Sequence, residues 1–393
     1  MTSRVRSSSS TTMSASYEHL QGSYGWTDTL KSIHYGPGVT ATALPKLIQR
    51  LNVKKGLIVT GRSLYTKTDV VSKIEALLTS LDAFAGSFTD IGEHTPVAGI
   101  NACIKVLEES KADFIVAVGG GSPVDGAKAI RYRFMEKTGA TSPIPQIAIP
   151  TTLSAAEYSI GAGYTDENGL KVAVSHQELA PAGIILDAEL TLPTPRRLWI
   201  STGIRAVDHC VESLYRPFVS PPAKILCYAA LRDLFEYLPI SQADPTNIEA
   251  RHKLQLATWM SLWPTKWERY SALGLSHALG HKLGAAYSIP HGITSCLTLA
   301  PVVALQARTA SAADKQALAR CLFYLEEPTT GSVEGDVLKL SELITGLVDR
   351  LGLKSTLGQY NVPREDLPKV AQRALQPELN TLEDVVALLE GIY

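Results

Sequence analysis

Residues 114–130 read FIVAVGGGSPVDGAKAI, and how this run folds decides the architecture of the N-terminal half. A short, wholly apolar stretch enters three consecutive glycines and passes straight into a helical pattern, with Pro123 at its expected first position. Three glycines let a backbone approach a ligand closely. A helix start adds N–H groups and the positive end of a dipole. The turn Gly119-Gly120-Gly121-Ser122 therefore suits phosphate groups. A second reading needs no ligand: Ser122 and Asp125 have the three-residue spacing of a capping box, and the glycines merely turn the chain. The string lacks the GxGxxG spacing, so both readings stand at this point.

Outward from this run, apolar stretches short enough for buried strands lie at 56–60 (GLIVT), 146–150 (QIAIP) and 183–187 (GIILD). Amphipathic segments at 67–80, 97–109 and 123–135 separate the first of these strands from one another. Such alternation predicts an α/β domain, a parallel sheet covered on both faces, of the nucleotide-binding type. In SIGAGYTDENGLKVAVS (159–175), two β-rich runs flank Asp166-Glu167-Asn168-Gly169, whose Asn-Gly predicts a hairpin projecting from the sheet. After LTLPTP (190–195) long helical periods take over at 221–239, 248–263, 295–308, 334–351 and 380–391, predicting an all-helical second half. The expected division is a flexible, Ser-rich tail over 1–25, an α/β domain over 26–194 and an all-helical domain over 195–393.

Charge narrows the partner. With 37 basic and 38 acidic residues in 393, the net charge is -1, which gives no electrostatic case for nucleic acid or an anionic membrane surface. A small-molecule partner is expected, and a homodimer is compatible with the composition. The five cysteines (Cys103, Cys210, Cys227, Cys296, Cys321) form no CxxC pair, as suits reduced thiols inside a cell. No apolar run approaches the roughly 18 residues that span a bilayer, and no signal-peptide core follows Met1. A cytoplasmic location is the expectation. Arg4 and Arg6, which precede any acidic residue, leave a mitochondrial presequence as the alternative.

HALGHKLGAAYSIPH (277–291) holds three of the nine histidines. His277 and His281 are four apart on one helical face, and His291 follows Pro290 beyond that helix. TGIRAVDHCVESLY (202–215) places His209 on a helix one turn beyond Arg205. The spacing suits a first-row transition metal, and equally suits histidines satisfied within a core. IAIPTTLSAAEYS (147–159) adds Thr151, Thr152 and Ser154 at a strand's carboxyl end, where doubly wound sheets meet their ligands, although such clusters also form plain turns.

Taken together, GGGSPVDGAKA (119–129), PTTLSAAEYS (150–159), LDAELTLPTP (186–195), TGIRAVDHCVE (202–212) and GLSHALGHKLGAAYSIPHG (274–292) resemble the iron-containing alcohol dehydrogenase family, in its maleylacetate reductase-like branch. The likeness runs from Tyr35-Gly36-Pro37-Gly38 to the C-terminus. It implies a Rossmann-like N-terminal domain, an all-helical C-terminal domain, and NAD(P) in the cleft between them. It further implies that Gly120, Gly121 and Ser122 hold the pyrophosphate, with Asp125, Thr151, Thr152 and Lys171 along the cofactor and Ser154 beside them. Gly61 stands where NAD-using relatives often carry an acidic residue, and Arg62 follows it, so NADPH is favoured over NADH.

Metal-binding members of the family use an Asp and three His. Their histidine positions match His209, His277 and His291, and His281 matches a further active-site histidine, but the Asp position holds Arg205. A guanidinium has no lone pair to give a metal. Asp208, about 100° around the helix from His209, is a poor substitute ligand. The expectation is a site without iron or zinc, in which Arg205 and His209 polarise an acceptor oxygen, His277 or His281 supplies a proton, and His291 completes the set. The plain alternative for Arg205 is an ion pair with Asp208 or Glu212. The chain also departs from the family at Ala155-Ala156, where Gly and Ser are usual. The resemblance implies an NAD(P)H-dependent reductase of a small carbonyl or unsaturated oxo-acid. A non-redox isomerase, dehydratase or cyclase, and a binding protein with a decayed site, are the competing readings.

Overall fold

The computed structural model describes residues 27–92, 96–166, 171–262, 271–375 and 380–393. The expected tail over 1–25 and the Glu167-Asn168-Gly169 turn lie outside the described residues. The N-terminal part contains β1 (Ser32–Tyr35), β2 (Gly56–Val59), β3 (Phe84–Phe88), β4 (Phe114–Gly119), β5 (Gln146–Pro150), β6 (Gly161–Thr165), β7 (Lys171–Ser175) and β8 (Gly183–Leu186). Six of these form one sheet in the order β1-β8-β5-β4-β2-β3, with every pair parallel. β6 and β7 pair antiparallel, as the flanking β-rich runs predict.

Helices α1 (Thr40–Leu51), α2 (Arg62–Lys67), α3 (Val70–Ser80), α4 (Val97–Ser110) and α5 (Gly121–Thr138) cover the sheet. Alternate strand residues feed two cores, the consequence of a period of two. Ile58, Val116, Val118, Ile147 and Ile149 pack with Leu44 and Leu47 of α1 and Ile74 of α3. Leu57, Val59, Ile115 and Ala117 pack with Ile100 of α4 and Val124 and Ile130 of α5. Strands buried on both faces read as unbroken apolar runs, which is what made β2, β4, β5 and β8 visible. The edge strands β1 (SIHY) and β3 (FAGSF) are mostly half-buried, and their sequences carry no such run.

One local expectation is corrected. Helix α5 begins at Gly121, so Pro123 is its third residue, and the cap position is Gly120 with no side-chain cap bond. Ser122 lies inside the helix and does not form a capping box with Asp125. Proline is tolerated anywhere in the first turn because those N–H groups have no intrahelical partner.

From Arg196 onward the described residues contain no strand. Helices α6 (Arg196–Tyr215), α7 (Pro221–Ala243), α8 (Ile248–Ser261), α9 (Leu275–Tyr287), α10 (His291–Thr309), α11 (Ala312–Ala319), α12 (Cys321–Tyr324), α13 (Val333–Arg350), α14 (Leu367–Ala374) and α15 (Leu382–Gly391) share one apolar core. His291 is the first residue of α10, which starts four residues before the helical period suggests because Pro290 provides the N-cap. Among the described residues no helix is long and apolar enough to cross a membrane.

Hydrogen bonds at the end of β5 and after β8 help to join the halves. Thr194 Oγ1 donates to Thr151 O at 2.7 Å, Leu153 N donates to Thr202 Oγ1 at 3.1 Å, and Arg251 Nη1 on α8 donates to Thr191 O at 2.8 Å. The turn after β5 is thereby fixed against the N-terminal part of α6.

Candidate active site

Thr202, Arg205, Asp208, His209 and Glu212 recur at spacings of three and four, so they share one stripe of α6. Thr202 anchors one end of the stripe to the turn after β5. At about 1.5 Å per residue, Arg205 lies roughly 4.5 Å farther along the axis and His209 roughly 10 Å. The stripe therefore leads away from the carboxyl ends of the strands, where the glycine turn also sits. Gly119 has φ +134°, a conformation that favours glycine, and a Cβ on Gly120 would lie 3.1 Å from Thr152 Cγ2. A Cβ on Gly121 would lie 3.4 Å from Ser154 Oγ. The bare backbone leaves a shelf between the two turns.

Arg205 is buried and both terminal nitrogens of its guanidinium are engaged. Nη2 donates to His291 Nε2 at 2.7 Å, Nη1 donates to Ser295 Oγ at 3.2 Å, and Nη1 lies 3.7 Å from Asp208 Oδ2. The ion pair with Asp208 is the plain alternative read from the sequence, and it coexists with the contact to a site histidine. Gly280 on α9 keeps the space open: a Cβ there would lie 2.7 Å from Thr294 Oγ1 and 3.6 Å from Arg205 Nη1.

His277 Nδ1 sits between two carboxylates, 2.6 Å from Glu212 Oε2 and 3.3 Å from Asp208 Oδ1. Asp208 Oδ2 accepts in turn from Ser276 Oγ at 3.0 Å and Ser295 Oγ at 2.6 Å. Burial and Arg205 push the His277 pKa down, but Asp208 and Glu212 outweigh them and hold it above the ordinary value. Burial would raise Asp208, yet His277, Arg205 and the Ser295 hydroxyl hold it below the usual carboxylate range. His209 has no such support: burial, with His277 and Arg205, drops its pKa well below the ordinary value, so its ring is neutral. The His209 and His277 rings stack with centroids 4.9 Å apart. His277 Nε2 and His209 Nδ1 are buried without a hydrogen-bond partner. His281 is exposed, its ring 5.0 Å from that of His291.

The structure thus brings Arg205, His209, His277, His281 and His291 together from α6, α9 and α10. Gly120, Gly121, Ser122, Asp125, Thr151, Thr152 and Ser154 gather at the ends of β4 and β5, while Gly61 caps α2 at the end of β2. Asp125 Oδ1 accepts from the buried Lys128 Nζ at 3.1 Å. Lys171 opens β7, paired with Thr165. Sequence reasoning gave Asp208 and Glu212 no role beyond pairing Arg205. Their one trace in the sequence is the i, i+3, i+4, i+7 stripe formed by Arg205, Asp208, His209 and Glu212, which does not by itself say that this face is buried.

A parallel sheet whose glycine-rich turn opens a helix at the strands' carboxyl ends is the architecture of a doubly wound nucleotide-binding domain, here joined to a helical bundle that buries an arginine among histidines. Residues 31–188 match the iron-containing alcohol dehydrogenase family, residues 199–393 match the C-terminal part of the same family, and the chain belongs to it. A maleylacetate reductase of Sphingobium indicum is 30% identical over 337 residues, spanning 83% of this chain and 87% of that one. Another, of a Rhizobium species, is 30% identical over 353 residues, spanning 87% and 88%. The crystal structure of maleylacetate reductase from Agrobacterium tumefaciens superposes with a TM-score of 0.77 at 26% identity, covering 95% of this chain and 99% of that one.

Proposed function

We propose that the protein is an NAD(P)H-dependent reductase of a small carbonyl compound or unsaturated oxo-acid and works without a catalytic metal. The observation that carries this reading is Arg205, a buried cation bonded to His291 where metal-binding relatives have a carboxylate ligand. Its guanidinium cannot ligate a dication and repels one. His209, His277 and His291 therefore do not fit the family's metal set. Asp208, Glu212 and His277 bring ligand atoms within 4.8 Å of one another, but these atoms already serve Ser276, Ser295 and each other beside the Arg205 charge.

A nicotinamide nucleotide does fit. Thr152 Oγ1 and Ser154 Oγ are buried without partners around the shelf left by Gly120 and Gly121. We assign Gly120, Gly121 and Ser122 to the pyrophosphate, and Gly61, Asp125, Thr151, Thr152, Ser154 and Lys171 to the rest of the cofactor. Arg62 Nη2 is paired with Asp90 Oδ1 at 2.6 Å in an exposed position, where such pairs are worth at most about 1 kcal/mol. The NADPH preference rests on Gly61 and Arg62; Asp90, bridged to Gly61, is the carboxylate that a 2′-phosphate would have to displace from Arg62.

When bound, the reduced nicotinamide supplies a hydride to the acceptor carbon. Arg205 offers fixed positive potential, and the neutral His209 ring a hydrogen bond, to the oxygen on which charge develops. His277 delivers the proton from Nε2, its pKa held up by the two carboxylates behind it. His281 and His291 border the same space and help to orient the substrate. The direct test is loss of reduced-nicotinamide absorbance when the pure protein meets maleylacetate-like oxo-acids and other carbonyls, before and after chelation. No oxidation across the panel refutes the reductase reading, and activity that vanishes on chelation and returns with metal refutes the metal-free site. Turnover by protein stripped of nucleotide would instead favour a non-redox proton transfer at His277.

A further inference from the structure

We infer that Glu212, assisted by Asp208, is a positioning residue that fixes both the backbone and the tautomer of His277, leaving Nε2 as the proton-transfer atom. The inference deepens the reductase reading above and rests on it for its kinetic consequence.

Glu212 acts as an N-cap supplied from another helix. The cap position of α9 is Gly274, which brings no side chain of its own. Glu212 Oε1 accepts from Ser276 N at 2.7 Å, and Oε2 accepts from His277 N at 3.4 Å and from His277 Nδ1 at 2.6 Å. One carboxylate thus binds the second and third N–H groups of the helix together with the imidazole of its third residue. The helix N-terminus favours the negative charge there. Glycine is required at position 274 for this approach, since a Cβ would lie 2.7 Å from Glu212 Oε1 and 2.8 Å from Tyr215 Oη.

Both groups facing Nδ1 are carboxylates, which accept and cannot donate, so Nδ1 carries the hydrogen. The other ring nitrogen is then the exchangeable one. Nε2 is buried without a partner, and His209 Nδ1 is likewise unpartnered in the same stack. Buried unsatisfied ring nitrogens are costly, and they are expected where a ligand completes the hydrogen bonding. Asp208 Oδ1 lies 3.3 Å from Nδ1 without a hydrogen bond to it and adds negative charge behind the ring, while the Ser276 and Ser295 hydroxyls tie the other oxygen, Oδ2, in place.

Glu212→Gln separates positioning from packing. Its amide oxygen can still cap the helix, but its NH2 group can face Nδ1 and drive the hydrogen to Nε2. With isotope-labelled histidine, nitrogen NMR of the unmodified protein is expected to report a hydrogen on Nδ1 of His277, the signal being assigned by its loss in His277→Asn. Glu212→Gln is expected to move that hydrogen to Nε2 and to lower kcat about 10²- to 10⁴-fold, the contribution of a positioned general acid, with the KM for reduced nicotinamide unchanged. Glu212→Asp, which keeps the charge, should restore part of kcat and the Nδ1–H form. A neutral His277 ring that carries its hydrogen on Nε2 instead of Nδ1 in the unmodified protein, or an unchanged kcat in a variant whose tautomer has flipped, would overturn the proposal. The spectra need no turnover, so an Nδ1–H ring that flips in Glu212→Gln upholds the positioning role even where no carbonyl is reduced and the reductase reading fails.

Discussion

Arg205 concentrates the consequences of a single exchange. Burial pulls its pKa down from the ordinary value while Asp208 and Glu212 oppose the shift, and no accessible pH removes a guanidinium charge. Lysine keeps the charge but cannot reach His291 and Ser295 with one planar fork. Arg205→Lys is therefore expected to lower kcat/KM about 10²- to 10³-fold, the usual cost of losing an oriented donor near a developing negative charge. Steady-state kinetics with a fixed acceptor decide the point, and a loss below about threefold counts against an electrostatic role. Arg205→Asp makes the opposite change: it removes the cation and returns a carboxylate one turn before His209. Elemental analysis after dialysis against zinc should find metal held by that variant and not by the unmodified protein. Stoichiometric iron or zinc in the unmodified protein would contradict the metal-free site.

At the scale of elements, the two turns at the ends of β4 and β5 work as one cradle. Gly120 has backbone angles open to any residue, but an added Cβ would lie 3.1 Å from Thr152 Cγ2 and 3.2 Å from its Oγ1. Gly120→Ala should raise the dissociation constant for nicotinamide nucleotide at least about tenfold while the melting temperature moves little, since the methyl group fills the shelf and not the core. Titration calorimetry beside a thermal melt separates the two. The short turn Ala156–Tyr158 after β5 buries Glu157, and burial pushes its carboxyl up to about 7 from 4.5. Below pH 4.5 both folded and unfolded chains are protonated at this group. As pH rises toward about 7 only the unfolded chain ionises, so folded stability is lost, on the order of 3 kcal/mol in all. Glu157→Gln has nothing to ionise, so its melting-temperature advantage should grow between about pH 5 and about pH 8, and a constant offset would rule out a buried neutral carboxyl. Legibility follows the same physics. β2, β4 and β8 are apolar throughout and β5 is apolar after Gln146 because both of their faces are covered, whereas β1 and β3, at the edges, leave no comparable trace. The histidines were found by motif and spacing. Asp208 and Glu212 were not, because only the packing of α9 and α10 against α6 decides that their face is buried and that His277 fills it.

On the scale of the whole molecule, the proposed reaction needs parts from both halves: a nucleotide shelf on the sheet and an arginine–histidine cluster on the helices. Arg251 ties the helical half, through Pro245 and Trp199, to Thr191 of the other. It is 1% exposed, with Nε donating to Pro245 O at 2.7 Å, Nη1 donating to Thr191 O at 2.8 Å and to Thr191 Oγ1 at 3.1 Å, and its guanidinium 4.6 Å from the Trp199 ring. Hydrogen bonds from a charged donor are worth about 1.5–3 kcal/mol each. Arg251→Met keeps the apolar stem over Trp199 and leaves the Thr191 and Pro245 carbonyls without their donor. Calorimetric unfolding of this variant is expected to split into two transitions, one for each half, where the unmodified protein gives one. A ligand that spans the cleft binds only when both halves are folded and docked, so it stabilises them together, by about 2.7 kcal/mol at a hundred times its dissociation constant. NADPH at that excess should draw the two transitions of Arg251→Met back toward one. If instead the nucleotide raised only the first or only the second, its binding energy would come from one half alone, against a nucleotide held by both.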